Sequence, residues 1–244
     1  MSRLICLLAL LTTGLLLADD RADYDRLKVE LQEQKRILNR YHSDRDYAEA
    51  ISQQDLIAEN SRKALDMALK SAEIGNAGAW EFHARMLRDV GLTEEALRAV
   101  DEYLKTPLLE RAKQKNAWKM KAQIYRRAKD HSAAEAAYRK AISLADEAHE
   151  RFNLTRDIAG LKLRDSKVSE AQALAQQLRT MLAEIEAKRQ ASAERSLQGL
   201  LIRIYRETGD AEAARAARFK LLELRKAQVE EELAEFDHKY PANP

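Results

Sequence analysis

The apolar positions of this chain recur every three or four residues over most of its length. Near the N-terminus they alternate between these two spacings, with Gln34 in the one polar slot. A helix with this spacing carries a coiled-coil-like apolar seam along one face. We expect an N-terminal helix whose seam packs on a neighbouring helix of the same chain or, as the alternative, forms a dimer interface. The seam positions are Tyr24, Leu27, Leu31, Leu38 and Tyr41.

Composition extends the helical interpretation to the whole chain. Only 7 Gly and 3 Pro occur among 244 residues, and most of the others lose little conformational freedom in a helix. The chain is therefore predicted to be all-α. Apolar positions between Leu221 and Phe236 predict a long C-terminal helix that ends near Pro241. A polar outer face on this helix would suit the terminal, capping element of a repeat array.

Small and large residues alternate in a pattern that recurs along the middle and the end of the chain. Its clearest copy contains Ala117, Trp118, Ala122, Tyr125, a break at 129–131, Ala134, Tyr138 and Ala141. A preceding copy contains Trp80, Ala84, Leu87, Gly91, Ala96, Val100 and Tyr103, and a last copy contains Leu201, Ile202, Tyr205, Gly209, Asp210 and Ala214. Two weaker copies include Leu38, Tyr41, Ala50 and Ile51, and Ile158, Ala159 and Ala171, with Lys162 where Tyr is expected.

This pattern resembles the tetratricopeptide repeat, in which small residues let two antiparallel helices approach closely. The resemblance implies an all-α fold: a right-handed superhelix of antiparallel helix pairs, a TPR-like α-solenoid, with long N- and C-terminal helices. The small residues that open the second helices are separated by 46, 38, 37 and 43 residues, against a usual period of about 34. We therefore expect longer helices or inserted turns. These small residues are Ala50, Ala96, Ala134, Ala171 and Ala214.

The first eighteen residues differ from the rest. Arg3 precedes an apolar run over residues 4–17, and Ala18 precedes two aspartates. This order is typical of a secretory signal peptide cleaved after Ala18, and the alternative is an uncleaved membrane anchor. Since Cys6 is the only cysteine, the exported chain would have none, and we expect a periplasmic or secreted protein. The predicted segments are 1–18, the signal peptide; 19–76, an N-terminal helical hairpin with a divergent repeat; 77–225, TPR-like repeats; and 226–244, the end of a capping helix and a tail.

The sequence contains few groups in the arrangements that catalysis requires. Its 42 basic and 40 acidic residues nearly balance, so no global charge favours nucleic acid. The five histidines are scattered without metal-ligand spacing, and no glycine-rich phosphate loop is present. We expect a protein that is not an enzyme and that has no cofactor and no metal site.

The resemblance also implies a groove lined by the first helix of each repeat. The residues assigned to it are mostly basic, and this favours an acidic protein or peptide partner in an envelope assembly, secretion or export complex. In other interpretations, these are solvated arginines paired with nearby acids, the chain is a structural homo-oligomer joined through its N-terminal helix, or it is an accessory module for an anionic glycan or cell-wall polymer. The predicted groove residues are Arg85, Arg88, Lys119, Gln123, Arg126, Arg127, Arg156, Arg164, Arg203 and Arg206.

Overall fold

A computed structural model describes residues 21–40, 47–70 and 76–239, and these contain helices and connecting turns but no strand. The predicted signal peptide lies outside the described residues. No helix within the described part of the chain is both long and apolar enough to cross a membrane. The helices are α1 (21–40), α2 (Tyr47–Lys70), α3 (Ala77–Asp89), α4 (Thr93–Lys105), α5 (Arg111–Arg127), α6 (His131–Leu144), α7 (Ala148–Arg164), α8 (Val168–Met181), α9 (Ala187–Glu207) and α10 (Ala211–Lys239), with a 3₁₀ turn at Leu182–Glu184.

The chain divides into two compact units after Asp130, which we call unit 1 (Met1–Asp130) and unit 2 (His131–Pro244). The boundary falls inside the segment 77–225 that the sequence predicts as one series of repeats. In unit 1, α3 contacts both α4 and α5. In unit 2, α7 contacts both α8 and α9. Each unit therefore has the neighbour pattern of stacked helix pairs, in which a first helix meets its own partner and the next first helix.

Four turns between helices share one backbone geometry. Each has a residue with positive φ, and these residues are Gly91, Lys129, Ser166 and Gly209. In each turn the next residue's N–H donates to the carbonyl five positions earlier, over 2.8 to 3.0 Å. This is the Schellman ending, which satisfies carbonyls left over at a helix C-terminus. The left-handed residues are 38, 37 and 43 positions apart, so the long, irregular period measured on alanines is also the period of the turns.

Alanine occupies the closest helix contacts. The small residues of three repeats are completely buried, and this is what the alternation of small and large residues predicts. Larger side chains such as Tyr103, Tyr138 and Phe152 fill the space between them, each with at most 2% exposure. The repeat pattern of the sequence is therefore the packing pattern of both units. The buried small residues are Ala84, Ala96, Ala122, Ala134, Ala159 and Ala171.

The N-terminal seam packs inside unit 1. Tyr24, Leu31 and Leu38 belong to the unit 1 core, and Leu27 is partly buried against it, whereas Tyr41 lies outside the described residues. Gln34, the polar position of the seam, forms a hydrogen bond between α1 and α2, because Asn60 Nδ2 on α2 donates to Gln34 Oε1 at 3.4 Å. Tyr24, Leu31 and Leu38 are therefore covered by their own chain, as the intrachain interpretation of the seam expects.

Candidate partner-binding faces

Three of the predicted groove residues of unit 1 are joined into one network. Arg88 on α3 donates from Nη1 to Oε1 of Gln123 on α5 at 2.8 Å. Arg127, at the end of α5, donates from Nη1 to the carbonyl oxygen of Arg88 at 2.5 Å. These contacts hold the two first helices of unit 1 side by side. The structure therefore brings together Arg88, Gln123 and Arg127, as the groove prediction requires.

An acidic residue that the groove prediction omitted, Asp89, sits at the centre of this network. Its carboxylate accepts hydrogen bonds from Lys35 on α1 and from Arg88, at 2.8 Å for Nη2, and Arg127 Nη1 lies 3.8 Å away. Burial favours the neutral acid, but the hydrogen bonds from Lys35 and Arg88 outweigh it and lower the pKa of Asp89. The carboxylate thus neutralises much of the local positive charge. Its position next to Arg88 in the sequence was the only indication of this role.

The remaining basic residues of the unit 1 face are divided. Arg85 pairs with Glu81 one helical turn earlier, at 2.5 Å. Lys119 and Arg126 have no hydrogen bond or ion pair through their side chains in the described part of the chain. Arg85, Arg88 and Arg127 thus each lie within ion-pair distance of an acid. Within the described residues, the unneutralised charge of the unit 1 face is that of Lys119 and Arg126.

In unit 2 the predicted residues of α7 and α9 meet on one face. A side chain built at Gly160 on α7 would place its Cβ 3.9 Å from Nη1 of Arg203 on α9. Arg203 therefore extends across the contact between the two helices and lies over Gly160. Arg156 and Arg164 stand four residues before and after Gly160, so they occupy the same side of α7. Arg206 follows Arg203 by three residues on α9.

Most of the charge on this unit 2 face is unneutralised. Arg156 pairs with Asp157, its sequence neighbour, at 3.0 Å. Arg164, Arg203 and Arg206 are exposed, and no acid among the described residues forms an ion pair with them. Arg195, which the sequence prediction omitted, lies on the same side of α9, four residues before Gly199. Its helical spacing from Arg203 could have revealed it.

Two glycines form a recess at the centre of the unit 2 face, because they have no side chains. Gly160 and Gly199 lie in helix interiors, where glycine costs about 1 kcal/mol relative to alanine. Among the described residues, packing requires neither glycine, because a Cβ at Gly199 would meet nothing within 4 Å and one at Gly160 would meet only the flexible end of Arg203. A glycine of this kind permits another backbone to approach closely. The face therefore combines a low floor with exposed guanidinium groups, and we call it the basic face of unit 2.

Comparison with known proteins identifies the fold. The Podosopora anserina putative kinesin light chain with nearly identical TPR-like repeats superposes with a TM-score of 0.57 at 15% identity, over 82% of this chain and 97% of that chain. The fold is TPR-like. BtubC (BKLC) from P. vanneervenii superposes with a TM-score of 0.50 at 16% identity, over 91% of this chain and 94% of that chain. No protein-family model and no curated protein matches the sequence.

In terms of the TPR-like fold, α3, α5, α7 and α9 are the first helices of successive pairs. Both faces described above are formed by such first helices, α3 with α5 in unit 1 and α7 with α9 in unit 2. The predicted groove residues all lie on these first helices. Within the described residues, the unpaired arginines among them are concentrated in unit 2.

Proposed function

We propose that this chain is an exported TPR-like scaffold that binds an acidic segment of a partner protein on the basic face of unit 2. The observation that carries the proposal is the position of Arg203 over Gly160. Arg164 and Arg206 lie on the same face, and none of these three arginines pairs with an acid in the part of the chain that the structure describes. Export is supported by the apolar run of residues 4–17 after Arg3. The setting that fits these features is an envelope assembly, secretion or export complex.

The chemistry of the face favours carboxylates on an extended chain. A guanidinium presents a planar set of donors that matches a carboxylate in two hydrogen bonds. Arginines from two neighbouring helices give several such sites along one line. The floor at Gly160 and Gly199 leaves room for a peptide backbone between them. An acidic peptide segment can satisfy both features, because its side chains reach the arginines while its backbone follows the floor.

Unit 1 has a different role in this proposal. Arg88, Gln123 and Arg127 are bonded to one another and to Asp89, so binding an anion there would require these bonds to break. We assign this network to the packing of α1, α3 and α5. Of the ten predicted groove residues, Arg88, Gln123 and Arg127 form the structural group of unit 1, and Arg85, Lys119 and Arg126 lie outside that network. The binding group in unit 2 comprises Arg156, Arg164, Arg203 and Arg206.

Capture from native envelope extract tests the proposal. The parent chain is compared with a variant carrying Arg164→Glu, Arg203→Glu and Arg206→Glu. A matched control changes the charge equally at exposed positions of three second helices, Arg98→Glu, Lys140→Glu and Arg215→Glu. We expect a partner protein with an acidic segment to be captured by the parent and the control and lost by the face variant, with far-ultraviolet circular dichroism unchanged. Equal capture by all three chains would reject the basic face, and capture of an anionic polysaccharide alone would reject the peptide assignment.

A further inference from the structure

The long helix α10 has two apolar faces, and within the described residues only one of them packs on the chain's own core. Ala217 is buried in the unit 2 core, and Leu221, Leu224 and Gln228 continue its face at spacings of four, three and four residues, each half-buried. This face packs on α9. From Val229 to Phe236 every side chain is exposed. The predicted cap is therefore not polar on its outer side.

The second apolar face follows a coiled-coil repeat. Phe219, Leu222, Val229 and Leu233 are each more than half exposed. Together with Lys226 they alternate in steps of three and four, which places them at positions a, d, a, d and a of successive heptads. Phe236, also exposed, continues the series at position d. We call this second apolar face, from Phe219 to Phe236, the outer seam. With about 100° of rotation per residue, it lies roughly 140° around the helix from the face that packs on α9. A second helix can therefore reach it.

The charges beside the outer seam specify the orientation of a partner helix. In a parallel coiled coil, position g of one helix faces position e of the next heptad on its partner. Two such pairs are opposite in charge when the partner is the same sequence: Arg218 with Glu223 and Arg225 with Glu230. All four side chains are exposed. An antiparallel pair would instead place e beside e, so Glu223 and Glu230 would face acid with acid.

Lys226, the one polar position of the outer seam, favours a single alignment of the two helices. Lys226 is the one charged residue among the a and d positions from Phe219 to Phe236, and its Nζ lies 3.6 Å from Glu230 Oε1 on the same helix. A single Lys at position a lowers the stability of a coiled coil but disfavours shifted alignments, because a shift would place the ammonium against an apolar side chain. Two copies in register keep both ammonium groups at the edge of the seam, beside acidic e positions.

We propose that residues 218–236 of α10 pair in parallel and in register with the same segment of a second copy of this chain. The helix is already formed and anchored on α9, so association does not have to order it. Burial of the exposed apolar side chains drives the pairing, and the two charge pairs select a copy of the same sequence over other helices. The surface is separate from the basic face of unit 2, so pairing can succeed or fail independently of partner binding.

Sedimentation velocity and light scattering of the purified exported chain over a concentration series test the pairing. The parent is expected to show a reversible dimer. The variant Leu222→Lys with Leu233→Lys should weaken the dimer by roughly a hundredfold or more, because both changes put charge into the seam. The control Ala227→Lys with Ala234→Lys adds the same charge at exposed b positions and should leave the dimer constant within about threefold. A monomeric parent, or equal weakening by both variants, would overturn the proposal.

Charge exchange tests the parallel arrangement. One chain carries Arg218→Glu and Arg225→Glu, and a second carries Glu223→Arg and Glu230→Arg. Each alone should dimerise more weakly than the parent, because its facing e and g positions become alike in charge. Their mixture should recover pairing as a heterodimer, which mass spectrometry of differently labelled chains detects. Undiminished self-association of the single chains, or a mixture that pairs no better than they do, would contradict parallel pairing.

Discussion

Lys162 on α7 holds its ammonium nitrogen 2.6 Å from Oε2 of Glu135 on α6 and 2.7 Å from Oε2 of Glu170 on α8. The lysine stands where the repeat pattern expects tyrosine, and its side chain is only 10% exposed. The hydrogen bonds that its ammonium donates to both carboxylates raise the pKa of Lys162. Burial opposes ionisation of Glu135, but hydrogen bonds from Lys162 and Arg139 prevail and lower its pKa. An ion triad thus replaces an aromatic contact among three helices of unit 2.

Loss of this lysine should destabilise unit 2. Lys162→Ala leaves Glu135 half-buried without its main cation, and we expect a loss of about 2 kcal/mol in the free energy of unfolding. Glu170 is mostly exposed, so Glu170→Gln should cost less than about 1 kcal/mol. Urea unfolding at neutral pH measures both, with the exposed Lys140→Ala as the control. Equal losses for Lys162→Ala and Lys140→Ala would show that the triad contributes nothing.

Acid should weaken unit 1 through His83. This side chain is completely buried, with Nε2 3.0 Å from the hydroxyl oxygen of Tyr24. Burial, reinforced by the charge of Lys28, lowers its pKa from 6.5 to about 4. The unfolded chain therefore binds the proton first as pH falls. The neutral histidine's contribution is complete above pH 6.5 and declines towards pH 4, by about 3 kcal/mol in total.

Variants at this contact separate burial from hydrogen bonding. The parent should lose more stability between pH 6.5 and 4 than His83→Phe, which has no group to titrate. Tyr24→Phe removes the hydrogen bond but keeps the histidine buried, so it should retain the pH dependence of the parent. Chemical unfolding at several pH values provides the curves. Parallel curves for the parent and His83→Phe would be inconsistent with a buried neutral histidine.

Two of the four left-handed turn residues are not glycine, and replacing them should stabilise the fold. Lys129 and Ser166 have φ of 63° and 57°, a conformation that disfavours a residue with a Cβ by about 1–2 kcal/mol. Lys129→Gly and Ser166→Gly should each gain about 0.5 kcal/mol after the greater freedom of glycine in the unfolded chain is subtracted. Gly91→Ala should lose a similar amount, because a Cβ there meets nothing within 4 Å and only backbone strain changes. Thermal unfolding measures these shifts, and opposite signs would be incompatible with the Schellman geometry.

The glycine floor can be tested without changing any charge. Gly199→Ala should raise stability by about 0.5–1 kcal/mol, since alanine is the better helix former and the added Cβ has room. Gly199→Phe should leave the fold intact but reduce binding of an acidic peptide, because the ring would occupy the path of the peptide backbone. Titration calorimetry compares the two variants. Undiminished binding by Gly199→Phe would show that the glycines do not contribute to the binding site. The arginines alone would then account for binding.

The sequence predicted the helix pairs because their packing depends on local periodicity and on small residues at fixed positions, such as Ala96 and Ala134. Gly91 and Gly209, which belong to the same recurring pattern, lie in two of the turns. Neutralisation of the unit 1 face was not visible, because it depends on Asp89 meeting Lys35, which is 54 residues away in the sequence. The division after Asp130 leaves no mark in the pattern of apolar positions.

The two faces of α10 illustrate a different limit. Leu221 and Leu224 pack on α9, whereas Leu222 and Val229 are exposed, yet all four fall in one apolar stretch of sequence. Periodicity alone cannot decide which of two interleaved stripes meets the chain's own core, because both fit a helix. Only the position of α9 separates them. Four arginines of the basic face of unit 2 could be listed from the sequence, whereas the absence of ion pairs around Arg203 among the described residues required the structure.

The most direct test of the account is calorimetric titration of the purified exported chain with an oligoglutamate peptide, with oligoglutamine of equal length as the uncharged control. We predict binding of oligoglutamate alone, weakened by added salt because exposed charges are screened. The triple variant Arg164→Glu, Arg203→Glu and Arg206→Glu should bind at least about tenfold more weakly, equivalent to ~1.4 kcal/mol, while the variant changed at Arg98, Lys140 and Arg215 binds like the parent. Equal affinity of the two variants, or equal binding of both peptides, would contradict the assignment of the basic face of unit 2 as the partner-binding surface.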